Sequence, residues 1–301
     1  MISESNSDTF TGKESSLFRT WRWIRPDFAG EFQKLTEEGA DRMDSGNPVI
    51  WKTRHKYTLL IRTCTGRPVA FKRHHTLRLS RYLYYPTPTT REALNYQRLQ
   101  QLGLPMAKLL AVGDVRHFFR PESSFLVTEF EENTLDGGVF CPGREMEHET
   151  AWRDEFCHQN FRMIAKLHDA GYKHRNFTPR NELWRKRESP GSSGNELEII
   201  WIDVASCQRV PGILLRRAIP DDLAKFLHFF QFEPEKYREF LQTYCESATV
   251  KRFGPQKLFH EVRSRLEKYR EKKNATVLAR RKTKRAENGP EYPEENRKSK
   301  F

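Results

Sequence analysis

The chain is poor in cysteine, and what it has is scattered. Cys64, Cys141, Cys157, Cys207 and Cys245 are odd in number among 301 residues and form no C-x-x-C pair. That argues against a disulfide framework and a zinc site, and it suits a reducing compartment. No apolar run approaches the roughly 20 residues needed to span a bilayer. The opening stretch MISESNSDTFTGKESS lacks the apolar centre of a secretory leader. There is no internal repeat, no long low-complexity block, and no helix-turn-helix or RNA-binding signature. From these absences we expect a soluble, cytoplasmic chain, and nucleic acid is disfavoured as a partner.

What is present points to a packed globule. Hydrophobic residues make up 37% of the chain, and the 21 Phe and 10 Tyr supply bulk for a core, in one large domain or in two lobes sharing a cleft. The formal net charge is +13. Roughly three-quarters of the excess lies beyond Val250, in segments such as RSRLEKYREKK and ARRKTKR. Such a tail could lie against anionic lipid, a phosphorylated substrate or nucleic acid. A solvated terminal helix with a frayed basic end accounts for it equally well.

Periodicity divides the chain into unlike halves. Residues 1–49 read as an N-terminal extension with one short helix near FAGEFQKLTEEG. YTLLIRT and VAFKRH, joined by CTGRP, read as a hairpin. TTREALNYQRLQQLG then turns helical, capped by Thr89 or Thr90 and stopped by Gly103. Two further strands, AKLLAVGDVR and SSFLVTEFEE, complete a small β-rich lobe over residues 50–132. Past the polar link EENTLDGG, helical patterns dominate residues 133–260, interrupted by the strands ELWRKR and ELEIIWIDVA around the turn-rich ESPGSSGN. Residues 261–301 read as a basic helical tail, partly disordered. The fold class this order implies is α+β and bilobal.

One octapeptide carries a specific chemistry. His174 to Asn181 read HRNFTPRN, the spacing of a kinase catalytic loop H-R-D-x-x-x-x-N. Asn176 stands where that loop keeps the aspartate that accepts the substrate's hydroxyl proton. Phosphoryl transfer also needs a strand lysine, a helix glutamate to hold it, and metal ligands. Lys72 in VAFKRH has the setting of that lysine, and Glu92, 20 positions on, lies in the first turn of the predicted helix. Asp203 closes the apolar strand EIIWID, where a charge needs a compensating cation. Asp222 opens the aromatic helix DDLAKFLHFFQF, from which it could accept backbone N–H bonds of the loop or simply cap the helix. Singly, each residue has a plain structural reading, such as a solvated lysine or a dipole-matched glutamate. Their shared order is what argues for a phosphotransferase.

The runs REALNYQRLQQLGLPMAKLLAVGDVR, SSFLVTEF, IAKLHDAGYKHRNF, IIWIDVASCQRV and DDLAKFLHFFQF resemble the bacterial lipopolysaccharide core kinase family, the heptose and Kdo kinases, over about residues 50 to 250. The resemblance implies a protein-kinase-like fold and the cofactors ATP and Mg²⁺. It further implies a sugar acceptor on inner-core lipopolysaccharide or a lipid-linked sugar, and work at the cytoplasmic face of the inner membrane, with the basic tail as a peripheral contact. Under it Lys72 holds phosphates and Glu92 holds Lys72. Asn181 and Asp203 hold the metal, Glu129 belongs to the nucleotide site, and His174, Arg175 and Asn176 form the catalytic loop. The sequence departs from the pattern in three places. No G-x-G-x-x-G precedes YTLLIRT, Val204-Ala205 replace Phe-Gly after Asp203, and Asn176 replaces the base. Two outcomes follow: a kinase slowed by the missing base, with Asp221 or Glu182 as the candidate substitutes, or a pseudokinase that binds nucleotide and serves as a scaffold.

Overall fold

The computed structural model describes residues 21–75, 86–117, 120–143, 152–188 and 195–288. Its first half is a six-stranded antiparallel sheet. The strands are β1 (Trp21–Ile24), β2 (Val49–Thr53), β3 (Lys56–Arg62), β4 (Pro68–His75), β5 (Leu109–His117) and β6 (Arg120–Glu129), in the spatial order β1-β5-β6-β4-β3-β2. Alternation along the strands decides what each face meets. Tyr57, Leu59 and Ile61 of β3 and Val69 and Phe71 of β4 point to one side. There they pack with Phe125 and Val127 against Phe28, Phe32 and Leu35 of a helical turn and the following helix α1 (Ala29–Glu37). The opposite face carries Lys72. It packs on helix α2 (Pro88–Gln101), through Ala93, Tyr96 and Leu99, into the larger core of the helical half.

Residues 21–49, expected as part of an extension, thus belong to this sheet. Trp21–Ile24 pairs with Ala111–Asp114 of β5, and α1 closes the face away from the cleft. The helix was legible from Phe28, Phe32 and Leu35 at i, i+4 and i+7. The four-residue strand was not, because its partner lies some 90 residues on. Thr87, rather than Thr89 or Thr90, caps α2, its side chain accepting from the Thr90 N–H.

The second half is mainly helical: α3 (Arg153–Asp169), α4 (Gly212–Leu227), α5 (Pro234–Ser247) and α6 (Pro255–Asn288). The short β7 (Leu135–Asp136) precedes them, and between them lie the hairpin β9 (Glu182–Glu188) with β10 (Asn195–Trp201) and the pair β8 (Tyr172–Lys173) with β11 (Gln208–Arg209). Phenylalanines fill the centre; Phe177 stacks on Phe226 at 4.5 Å, and Phe161 packs on both Phe226 and Phe240.

Two boundaries differ from the sequence expectation. α4 begins at Gly212, not near Asp222, and runs through Pro220. Asp222 is therefore interior, and capping does not explain it. At the other end α6 runs without interruption through residue 260, and Val262 and Leu266 are buried in the core. The first turns of the expected tail are structural. The turn-rich 189–194, residues 1–20 and residues 289–301 lie outside the described residues, as do the side chains beyond 272.

Candidate active site

Lys72 projects from β4 into the space between the two halves. Its Nζ donates to both carboxylate oxygens of Glu92 on α2, at 3.0 and 2.7 Å, and to Oδ1 of Asp203 at 2.9 Å. Glu92 is only 2% exposed. Burial works against the lysine's charge, yet the two carboxylates outweigh it and hold the Lys72 ammonium above the usual lysine range. Burial pushes Glu92 upward against the pull of Lys72. With both oxygens on the ammonium, the contact is a bidentate ion pair. Asp203 behaves oppositely: burial would raise it, but Lys72 outweighs burial and holds its carboxyl below the usual range. Asp203 also sits in the left-handed backbone region, φ +53°, a conformation aspartate tolerates better than most residues.

The loop HRNFTPRN is fixed from below by Asp222. Its Oδ2 accepts from the N–H of His174 at 2.7 Å and its Oδ1 from that of Arg175 at 2.8 Å. His168 Nε2 lies 3.3 Å from Oδ2 and, through Nδ1, 3.0 Å from the Tyr244 hydroxyl. Burial would raise Asp222, but the hydrogen bond and charge of His168, with His174, hold it below the ordinary carboxylate range. Arg175 is exposed and left-handed, φ +62°, and its carbonyl accepts from Lys225 Nζ at 2.7 Å. The His174 ring is buried between Phe177 and Trp201, and burial lowers its pKa to about 4. It is neutral at physiological pH and supports the loop from within the core.

Asn176 and Asn181 face each other across the loop, Asn181 Nδ2 donating to the Asn176 carbonyl at 3.0 Å. That bond turns the Asn181 side-chain oxygen away from this carbonyl. The Ile202 N–H donates to the Asn181 carbonyl at 2.8 Å, continuing the β9–β10 ladder in which Glu182 pairs with Trp201. This strand pairing brings Asn181 alongside the residue preceding Asp203. Among the described residues no three His, Cys, Asp or Glu side chains cluster as a metal site. A cation held jointly by phosphates does not require such a cluster, since one or two protein ligands suffice. The oxygen donors here, one carboxylate and one amide, suit a hard cation of that kind.

Glu129 lies at the end of β6. Its carboxylate faces Arg67 at 3.3 Å and Lys108 at 3.9 Å. Of the two candidates for a substitute base, one is paired at the surface and the other is enclosed. Asp221 pairs with Arg265 of α6 at 2.7 Å. Glu182 is fully buried, and burial pushes its carboxyl well above the usual range. Sequence reasoning missed Asn95, whose Nδ2 donates to the carbonyls of Val204 and Cys207 at 2.8 and 2.9 Å and ties α2 to the segment after Asp203. Its position three residues past Glu92 on the buried stripe was the available signal.

A β-rich lobe and a helical lobe, a lysine–glutamate pair, a loop anchored by a helix aspartate and a strand-end aspartate define a protein-kinase-like phosphotransferase. Comparison with known proteins specifies it further. Residues 71–244 match the model of the Lipopolysaccharide kinase (Kdo/WaaP) family, more than half of the chain, and the chain belongs to that family of kinases acting on a lipopolysaccharide sugar. A solved structure of WaaP in complex with acyl carrier protein is similar in fold, with a TM-score of 0.59 at 20% identity over 86% of this chain and 99% of that one. The Rio2 kinase of Chaetomium thermophilum, in its ADP/Mg²⁺-phosphoaspartate complex, aligns over 84% of this chain and 82% of its own at 15% identity, with a TM-score of 0.39, too low to carry weight. No curated protein sequence matches. Among the described residues no helix is long and apolar enough to cross a membrane.

Proposed function

We propose that the protein transfers the γ-phosphate of ATP to a hydroxyl of an inner-core lipopolysaccharide sugar or a lipid-linked sugar, slowly, because Asn176 replaces the base. The observation that carries this reading is the contact of Lys72 with both Glu92 and Asp203 across the two lobes. Bound ATP would supply the transferable phosphoryl group, and magnesium would neutralise the charge developing on it. Lys72 holds phosphate oxygens and Glu92 keeps its ammonium in place. The Asp203 carboxylate and the Asn181 amide oxygen would hold the metal. Asn176 orients the acceptor hydroxyl through a hydrogen bond but cannot accept its proton, which leaves late in a loose transition state. The acceptor is reached at the cytoplasmic face of the inner membrane, against whose anionic lipid the basic end of α6 lies.

A positioned base is worth on the order of 10²–10⁴-fold. Asn176→Asp should raise single-turnover transfer from magnesium-ATP to a core saccharide by a factor in that range. If neither wild type nor Asn176→Asp phosphorylates a sugar while ATP binds to both, phosphotransfer is refuted.

Asn176 also favours a second reading, a pseudokinase whose nucleotide pocket serves binding or scaffolding. It expects a thermal shift with magnesium-ATP that Lys72→Ala and Asp203→Ala abolish, without turnover. Product formed above the level of Asp203→Ala counts against it.

A further inference from the structure

The kinase loop G-x-G-x-x-G covers nucleotide phosphates, and this chain has no such glycines before β3. Its β2–β3 hairpin turns over Arg54 and His55 alone, with Thr53 paired to Lys56. What the hairpin presents to the cleft must therefore be side chains. The register identifies them. Lys56 is opposite His74, and Thr58 is opposite Lys72, so Lys56 and Lys72 share one face of the sheet. Lys56 lies one side-chain step nearer the hairpin tip, about 7 Å along the strand. Trp51 pairs with Thr58 and lies on that face too.

Trp51 positions the lysine. Lys56 Nζ sits 4.4 Å from the centroid of the indole ring, a cation–π seat for the ammonium. From there its charge reaches the site, helping to depress Asp203 and opposing the rise of Glu92. His74, opposite it, stays neutral; burial, then Lys72 and Lys56, lower its pKa to about 4. The two lysines differ in one respect. Lys72 is committed to two carboxylates, whereas Lys56 is half-buried and makes no ion pair among the described residues.

We propose that Lys56, seated on Trp51, is the phosphate-covering group of this site, its ammonium binding the terminal phosphate oxygens of the nucleotide from the hairpin side, where other kinases use glycine-loop amides. The proposal rests on the nucleotide-binding reading above and deepens it. It explains how a tight, glycine-free turn could still close over a triphosphate: a flexible four-carbon stem replaces backbone that approaches closely.

Calorimetry on the full chain with magnesium and ATP, ADP or AMP tests it. Lys56→Ala should weaken ATP about tenfold to a hundredfold, the range of one charge-assisted contact, and AMP less than about twofold. Lys56→Arg should stay within about threefold of wild type, and Trp51→Ala should lose part of the ATP affinity. Lys56 is only half-buried at the hairpin end of β3, so its variants should melt close to wild type. ATP affinity within about twofold of wild type in both Lys56→Ala and Lys56→Glu, while Lys72→Ala loses it, overturns the role of Lys56 and leaves the site reading standing. Equal losses for ATP and AMP also overturn it, since the contact would not be with the terminal phosphates. Wild type binding none of the three nucleotides refutes both.

Discussion

Lys72 satisfies two carboxylates at once, and that makes the site sensitive to its removal. In Lys72→Met, Glu92 remains buried without its counter-charge, a situation that costs about 3–5 kcal/mol. Urea denaturation should show a loss of that order, and Lys72→Met/Glu92→Gln should recover most of it, because no charge is then buried. Equal stability of the single and double variants would contradict the account. His174 gives a pH signature. Its pKa is about 4 in the folded protein against about 6.5 unfolded, so the unfolded chain binds the proton more readily. The stability this group permits is complete above pH 6.5 and falls as pH drops toward 4, by roughly 3 kcal/mol for this residue alone. His174→Phe should flatten that part of a melting-temperature profile between pH 7 and 4. Neutrality at His174 was not readable from HRNFTPRN, since it depends on Trp201 and Phe177 closing over the ring.

The elements show where local pattern suffices and where it fails. β3 and β4 were legible because alternation and a Gly-Pro turn are local signals. β1 was not, and its pairing to β5 changes the status of the whole N-terminal segment. α1 covers the sheet face opposite the cleft, with Phe32 stacked at 5.4 Å on Phe125, which itself stacks on Phe71. Phe32→Ala should cost about 3–5 kcal/mol, measured by chemical denaturation. Were residues 1–49 a dispensable extension, the change would be nearly neutral. At α4 the helix runs through Pro220, and Asp222 is thereby placed under the loop rather than at a helix start.

At the scale of the whole molecule, the basic end must be cut in the right place to be tested. A chain ending at His260 removes Val262 and Leu266, each worth roughly 1.5–3 kcal/mol of burial, and the packing of Tyr269. Its loss of function would report unfolding. A chain ending at Lys272 retains these contacts and should melt with the full-length protein. Sedimentation with anionic vesicles at low salt should then separate the two, the full chain binding and the shortened one not, with binding lost as salt rises. Equal vesicle binding by both would remove the tail from membrane contact.

The order of elements, the α+β class and the candidate residues Lys72, Glu92, Asn181 and Asp203 followed from sequence alone, because strand alternation, helix period and motif spacing are written in neighbouring residues. Tertiary structure decided what those residues meet. It joined Lys72 to Asp203 over 131 positions of chain, turned Asp221 toward Arg265, sealed Glu182 away from the cleft, and set Lys56 on the face of Lys72. Burial, direction and partner are properties of the packed chain, and they determine whether a carboxylate can take a proton or a lysine can reach a phosphate.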